Sequence, residues 1–278
     1  MAQNLATKFS SKVSERLHSE SIVGKVTNKN YDWVGVDTVK VYSVDNMTMN
    51  DYQRGGANRY GNPTEIGTTI QTWQLAEDRS FSGTVDALNS AQSQNVTKPG
   101  SILARQVREV IVPEVNTYVL AVINTAGAAA DRDDITSDAA TSLSNAWTDF
   151  LLIQADITNK LGKTTGRVAV MTPDYYNFLK QSGYVLASDS AYKDRKSGSL
   201  GTVDGCEIVI HTSAEMPQYV NLIITHPDVT TFADVLTDYV THKNAPGVNG
   251  WLIEGRHAYD AFVDSNKVNQ IGIHRTQA

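Results

Sequence analysis

The chain is poor in cysteine, in net positive charge and in long apolar runs, and each shortage closes off a class of function. Cys206 is the only cysteine, so no intramolecular disulfide can brace the fold. It lies in the run Cys206-Glu207-Ile208-Val209-Ile210 with no adjacent base to generate a thiolate. It therefore reads as a small core residue rather than a nucleophile. Charged residues make up 19% of the 278 positions and the formal net charge is −6. That balance argues against a protein that coats nucleic acid, which needs clustered Lys and Arg. It leaves open a container whose inner wall merely faces DNA. No stretch reaches the ~18 apolar residues of a membrane span, and no uninterrupted apolar segment opens the chain as in a signal peptide. The expectation is folding in a cytosol, with no membrane partner.

Motifs of catalysis are sought without success. Gly162-Lys163-Thr164 looks like the end of a phosphate loop, but Ile157 stands where the first glycine is needed and the segment follows a helix rather than a strand. A helix stop explains it. Asp131, Asp133 and Asp134 suggest calcium, yet the next ligand position is Ile135 and no glycine follows, so a solvated loop is expected. None of His18, His211, His226, His242, His257 and His274 stands three or four residues from another, which leaves no local metal pair. There is no Gly-x-Ser-x-Gly elbow and no His-Glu-x-x-His. The sequence predicts a non-enzyme with no catalytic, metal-binding or cofactor-binding residues and no cofactor.

What is present is a hydrophobic content of 41%, enough for a sizeable core, distributed in blocks. Leu5, Phe9, Val13 and Leu17 recur every four residues among Lys8, Lys12, Glu15 and Arg16. This narrow amphipathic stripe is too short to stand alone as a helix. It can dock on its own domain or reach a neighbouring subunit. Residues 34–42 alternate as a strand, and Thr68–Leu75, continuing through Ser80–Val85, reads as its partner. Between them Asn50–Thr64 holds four polar amides, Gly55, Gly56, Gly61 and Pro63, and almost no aliphatic side chains. A two-stranded hairpin is marginal in water, and few later segments look like spare partners. Another subunit is its natural support.

After Pro99 the period becomes helical through Leu103, Val107, Val110, Ile111, Tyr118, Val119 and Val122, with Gly127 placed to end the run. Pro113 in its middle predicts a bend rather than two helices. A second helix is expected over Ser142–Leu161, with Leu143, Trp147, Phe150, Leu151 and Ile157 inward and Gly162 closing it. A buried strand Val168–Met171 and a short helix capped by Thr172 follow. Then come a Ser/Gly-rich loop over 183–201 carrying Lys193-Asp194-Arg195-Lys196, strands at Glu207–His211 and Tyr219–Thr225, and a strand-rich end with a turn at Asn244-Ala245-Pro246-Gly247. No internal repeat is visible. Blocks of helix and strand point to an α+β architecture. At the hairpin tip Tyr52, Arg54, Arg59 and Tyr60 could suggest single-strand nucleic-acid binding, diluted by Asp51 and Glu65. A soluble nucleic-acid-binding protein is therefore one alternative.

Tyr31-Asp32-Trp33-Val34-Gly35-Val36-Asp37-Thr38-Val39-Lys40-Val41-Tyr42 and Asn58-Arg59-Tyr60-Gly61-Asn62-Pro63-Thr64-Glu65 are followed by Gly166–Pro173, Gly201–Gly205 and Pro246–Arg256, with Tyr259–Val263 after them. In that order these segments resemble the major capsid proteins of tailed bacteriophages, the Hong Kong 97 phage-type shell fold, and most of all compact ones from phages of Gram-positive bacteria. The resemblance covers nearly the whole chain. It implies an N-terminal arm over 1–33, an extended loop over 34–88 and a peripheral domain with a spine helix over 89–140. An axial domain over 141–228 and strands returning to the peripheral domain over 229–278 complete it. It further implies a homo-oligomer of pentamers and hexamers that forms an icosahedral head around double-stranded DNA, in the virion. Tyr52, Arg54, Arg59 and Tyr60 would then be intersubunit contacts at the loop tip. A portal is an implied partner, together with a separate scaffolding protein or none, and contact with packaged DNA is only non-specific. No lysine lies between Lys40 and Lys98, so cross-linking through a loop lysine is not expected. Within the same fold, an encapsulin-like nanocompartment shell is the competing reading.

Overall fold

The computed structural model describes residues 20–31, 33, 38–55, 57–92, 98–131, 135–137, 142, 144–182 and 201–276. The N-terminal stripe, residues 34–37, Leu143, Asp133, Asp134 and the basic run within 183–200 lie outside the described residues. The architecture is α+β. A short helix α1 (Val23–Val26) precedes the hairpin strands β1 (Thr38–Val44) and β2 (Thr68–Gln74), then β3 (Glu77–Asp86) and α2 (Ala87–Gln92). The spine follows as α3 (Pro99–Gln106), a π-helical turn Val107–Ile111 and α4 (Val112–Ala129). Next come β4 (Ile135–Ser137), α5 (Ala146–Asn159), β5 (Arg167–Met171), α6 (Pro173–Gln181), β6 (Thr202–Val203), β7 (Cys206–Ile210) and β8 (Val220–Thr225). The long strands β9 (Thr230–Lys243) and β10 (Gly250–Val263) and a final β11 (Gly272–Thr276) close the chain.

A six-stranded sheet in the order β4-β11-β8-β5-β7-β6 forms the centre. Alternation along its strands gives it two apolar faces. Val168, Val170, Val209, Ile223 and Ile273 meet Val119, Leu120 and Ile123 of α4. Ala169, Met171, Ile208, Leu222 and Ile224 meet Phe150, Ile153 and Ile157 of α5 and Tyr175 and Leu179 of α6. Each fully buried Leu, Ile or Phe is worth roughly 1.5–3 kcal/mol, so the two helical layers clamp the sheet from both sides. The sheet takes strands from 135–137 and 272–276 as well as from 167–225, and β11 pairs with β8 rather than with the long strands before it.

Local chemistry sets the turns. Asp204 and Gly205 join β6 to β7 with φ of 47° and 78°, the positive values a two-residue hairpin turn requires. Ala245-Pro246-Gly247-Val248 closes through Val248 N–H to Ala245 O at 3.0 Å, with Gly247 at φ 82°. That is a type II turn with proline and glycine in their favoured places. Thr172 caps α6 by accepting from Tyr175 N–H at 3.4 Å, and Pro173 opens the helix.

The spine is one 31-residue run, Pro99–Ala129, long and apolar enough by length and composition to cross a membrane. Here its stripe of Val115, Val119, Leu120 and Ile123 lies in the core instead. Pro113 does not end the run. The helix widens just before it, with Val112 N–H donating to Val107 O across a π turn, where an α turn would press the ring onto the Glu109 carbonyl. Gly127 was expected to terminate this helix, yet the helix continues to Ala129. Gly127 is there for close packing: a Cβ on it would lie 2.5 Å from Ile273 Cδ1 and 3.0 Å from Ile271 Cγ2.

Three further expectations change. The run from Thr68 to Val85 is two strands, not one, broken at Leu75–Ala76, where Ala76 N–H donates to Asp260 Oδ2 at 2.9 Å. β2 pairs with β1, while β3 joins β10 and β9 in a separate three-stranded sheet. The hairpin thus finds support within its own chain. Leu151, expected inward on α5, is exposed, while Asp149 and Gln154 are buried. The left-handed residue closing α5 is Leu161, φ 65°, and Gly162 comes one later, its N–H donating to Ile157 O at 2.8 Å. This is the paired-bond helix stop usually built on glycine.

Candidate interaction site

The β1–β2 hairpin stands on an aromatic root. Trp33 and Trp73 are buried with Ala233, packed by Tyr31, Val39, Val41, Val235 and Phe262. The Phe262 ring stacks between the two indoles, at centroid distances of 4.9 and 5.4 Å. Val39 faces Trp73 across the strands and Val41 faces Gln71, so this parity points to the body. Gln71 Nε2 adds a bond to Ser265 Oγ at 2.5 Å.

The opposite parity has no cover among the described residues. Tyr42 pairs with Ile70 and Val44 with Thr68, and Tyr42, Val44 and Ile70 are all exposed. Past the strand ends Met47, Met49 (94% exposed) and Ile66 are exposed as well. Six large apolar side chains turned to solvent on one projecting element are the mark of a contact surface. Reading the sequence for the tip alone missed them. β1 carries apolar residues at both parities, but which parity the body covers is set in space and not by the strand's own sequence.

Among the described residues the tip is held by its own short-range bonds. Gln53 N–H donates to Arg59 O at 3.0 Å, Gly61 N–H to Asn58 O at 3.1 Å and Asn58 Nδ2 to Asn62 Oδ1 at 3.0 Å. Of the four residues singled out from sequence, Tyr52 and Tyr60 come together edge to face at 5.0 Å. Arg54 and Arg59 are exposed and have no ion-pair partner among the described residues. All four lie on one tip.

The other motifs resolve into structure. Lys163, of the phosphate-loop look-alike, pairs with Asp228 and lies just past the Leu161–Gly162 helix stop. Among the described residues no group of three or more His, Cys, Asp or Glu could hold a metal. Cys206 is fully buried, and burial pushes its thiol up to about 12, which makes it inert at neutral pH.

Three histidines are buried beside carboxylates, His211 at 2.9 Å from Glu215, His274 at 3.3 Å from Asp149 and His257 at 3.4 Å from Asp234. At His211 and His274 burial outweighs the carboxylates and holds the imidazoles below their ordinary value of 6.5. The unfolded chain therefore binds more protons than the native one below that pH. The stabilisation is complete above about pH 6.5 and fades as pH falls toward the folded values, by at most about 1.4 kcal/mol per pH unit per histidine. The melting temperature of the free subunit should fall between pH 7.5 and 5.5, and a His211→Gln/His274→Gln variant should show a flatter profile. An identical slope in that variant would assign the acid limb to other groups.

A central sheet is clamped between a long helix and two shorter helices, beside a separate three-stranded sheet and a two-stranded hairpin. This arrangement is the Hong Kong 97 phage-type fold of tailed-phage capsid proteins. No protein-family model and no curated protein matches the chain. Solved structures do. A chain of Mycobacterium phage Che8 is 16% identical with a TM-score of 0.72, over 97% of this chain and 96% of that one. The capsid of cyanophage P-SCSP1u gives 10% identity and a TM-score of 0.74, over 98% and 93%. The mature capsid of bacteriophage PhiM1 gives 10% and 0.69, over 98% and 92%. A virus-like particle from Pyrococcus furiosus is more distant in fold, at a TM-score of 0.55 and 13% identity over 92% of each chain.

Proposed function

We propose that this chain is the major capsid protein of a tailed phage, a structural subunit of a closed shell around double-stranded DNA and not an enzyme. The observation that carries the reading is the hairpin. It is rooted in its own subunit, yet it presents an uncovered apolar face and a polar tip, in a fold that phage capsid chains share along their whole length. Within a shell, residues 34–88 act as the extended loop and 1–33 as the arm. Residues 89–140 and 229–278 make the peripheral domain, and 141–228 the axial domain. Tyr42, Val44, Met47, Met49, Ile66 and Ile70, with Tyr52, Arg54, Arg59 and Tyr60, contact the next subunit. Contacts of this head-to-tail kind close into rings of five or six, and many modest ones hold a shell through multivalency. A portal is a partner this reading implies, together with a separate scaffolding protein or none.

Negative-stain microscopy of the purified protein, alone and co-expressed with its neighbouring head genes, tests it. Closed shells, tubes or capsomer rings are expected. A stable monomer under every assembly condition overturns the proposal. The Pyrococcus virus-like particle supports a second reading, a compartment shell that holds protein cargo. Particle contents separate the two, since packaged DNA favours the capsid and a co-purifying enzyme the compartment.

A further inference from the structure

A groove of about 520 Å³ opens between α1, the π turn of the spine and the inner face of the three-stranded sheet. Its floor is apolar, made by Val107, Ile111, Val112, Val115 and Phe232, and Gly24 lines one wall. Lys29 and Asp234 also line it, with Asp234 3.4 Å from His257, so no single sign of charge dominates and an occupant would be recognised by apolar fit.

The first described residues of the chain border this groove. Ser21 is part of its lining, and its neighbours are pinned by Asn116, a fully buried side chain on α4. Asn116 Oδ1 accepts from Ile22 N–H at 3.2 Å, and its Nδ2 donates to Glu20 O at 3.0 Å and Glu215 Oε2 at 3.3 Å. The backbone from Glu20 to Ile22 is thus fixed beside the groove. The sequence of residues 1–19 repeats Leu5, Phe9, Val13 and Leu17 at every fourth place, a stripe that needs an apolar floor to become a helix. At 1.5 Å per residue the stripe would span roughly 18 Å. Tethering by a three-residue link, His18 to Glu20, puts the local concentration of the stripe at the groove on the order of millimolar.

We propose that in the free subunit this groove is the seat of the chain's own N-terminal stripe, residues 5–17, with Leu5, Phe9, Val13 and Leu17 laid on the floor. The inference stands apart from the shell function, because it concerns one subunit before any assembly.

Limited trypsinolysis of dilute full-length protein tests it, read by mass spectrometry at Lys8, Lys12 and Arg16. A Cβ at Gly24 would meet nothing within 4 Å, so Gly24→Trp fills the groove from its wall. Cleavage should be at least tenfold slower in the parent protein than in Gly24→Trp, at every protein concentration. Phe9→Asp should give the same tenfold gain, and it leaves the body untouched if Gly24→Trp disturbs folding. Cleavage of the parent at the rate of the free peptide overturns the proposal, as does Phe9→Asp cut no faster than the parent. Protection that appears only as concentration rises would assign the groove to the arm of a second copy, and so overturn it too.

Discussion

Replacing Asn50 through Thr64 with a short Gly/Ser turn should abolish shells while shifting the melting temperature of the unassembled subunit by less than about 3 °C, under ~1 kcal/mol for a chain of this size. The asymmetry follows from where the tip's bonds go. Gln53 to Arg59, Asn58 to Asn62 and Tyr52 to Tyr60 are all contacts of the tip with itself, so deleting it removes both partners of each. The root is untouched, because Trp33, Trp73 and Phe262 hold β1 and β2 to the long strands. Normal shells after the replacement would rule out the tip as an assembly element, and a collapsed melting transition would place it in the subunit's own core. The outer face is separable from the tip. Tyr42 and Ile70 are cross-strand partners, so Tyr42→Glu with Ile70→Lys keeps a favourable pair on the hairpin while removing apolar contact area. That double variant should melt like the parent and assemble poorly. Arg54→Glu with Arg59→Glu tests the charge component alone. If these charges are desolvated at a contact, reversal costs assembly far more than folding.

The sequence shows such features unevenly, for a physical reason in each case. Period-two alternation announced β1 and β2, an unbroken apolar run announced β5, and Pro246-Gly247 announced the turn before β10, because these depend on neighbours in sequence. The break at Leu75–Ala76 was hidden, since alternation runs straight through it. The break is set by Asp260, 184 residues away, capturing the Ala76 N–H. Pro113 was visible, but a bend and a π turn both relieve the same clash with the Glu109 carbonyl, and the proline alone does not choose between them. Leu151 and Asp149 exchanged places for a similar reason. Burial on α5 follows Ala146, Phe150, Ile153 and Ile157, and Asp149 falls on that same stripe, where it meets His274 of β11. The exposed tip was legible from its amides and glycines. The uncovered face of the hairpin was not, because whether Tyr42 and Ile70 are covered depends on what lies opposite them in space.

Arg167→Met should destabilise the subunit by about 3–4 kcal/mol, roughly 10 °C in melting temperature. Arg167 opens β5 and is only 3% exposed. Burial pulls its guanidinium below its ordinary value, but at neutral pH it stays charged. The charge is tolerated because the donors are spent on fixed acceptors. Nε donates to Lys163 O at 2.6 Å, Nη1 to Gln154 O at 3.2 Å and Gln154 Oε1 at 3.0 Å, and Nη2 to Thr158 Oγ1 at 2.8 Å. Gln154 in turn donates to Asp204 Oδ2 at 3.0 Å and Asp204 O at 3.2 Å. One fork thus ties α5, the loop after it and the β6–β7 turn to the edge of β5. Methionine fills a similar volume but takes the guanidinium donors from Lys163 O, Gln154 Oε1 and Thr158 Oγ1, and the cost of orphaned groups exceeds the net worth of the bonds themselves. Arg167→Lys should lose most of the same stability, since one ammonium cannot reach acceptors set out for a planar fork. The diagnostic is the pair. Gln154→Leu alone should also destabilise, but Arg167→Met with Gln154→Leu should cost about 1–2 kcal/mol less than the sum of the single changes, because each substitution removes a group the other had stranded. Strict additivity in urea unfolding would mean that the two side chains contribute independently, and that the network is not what holds α5 against the sheet.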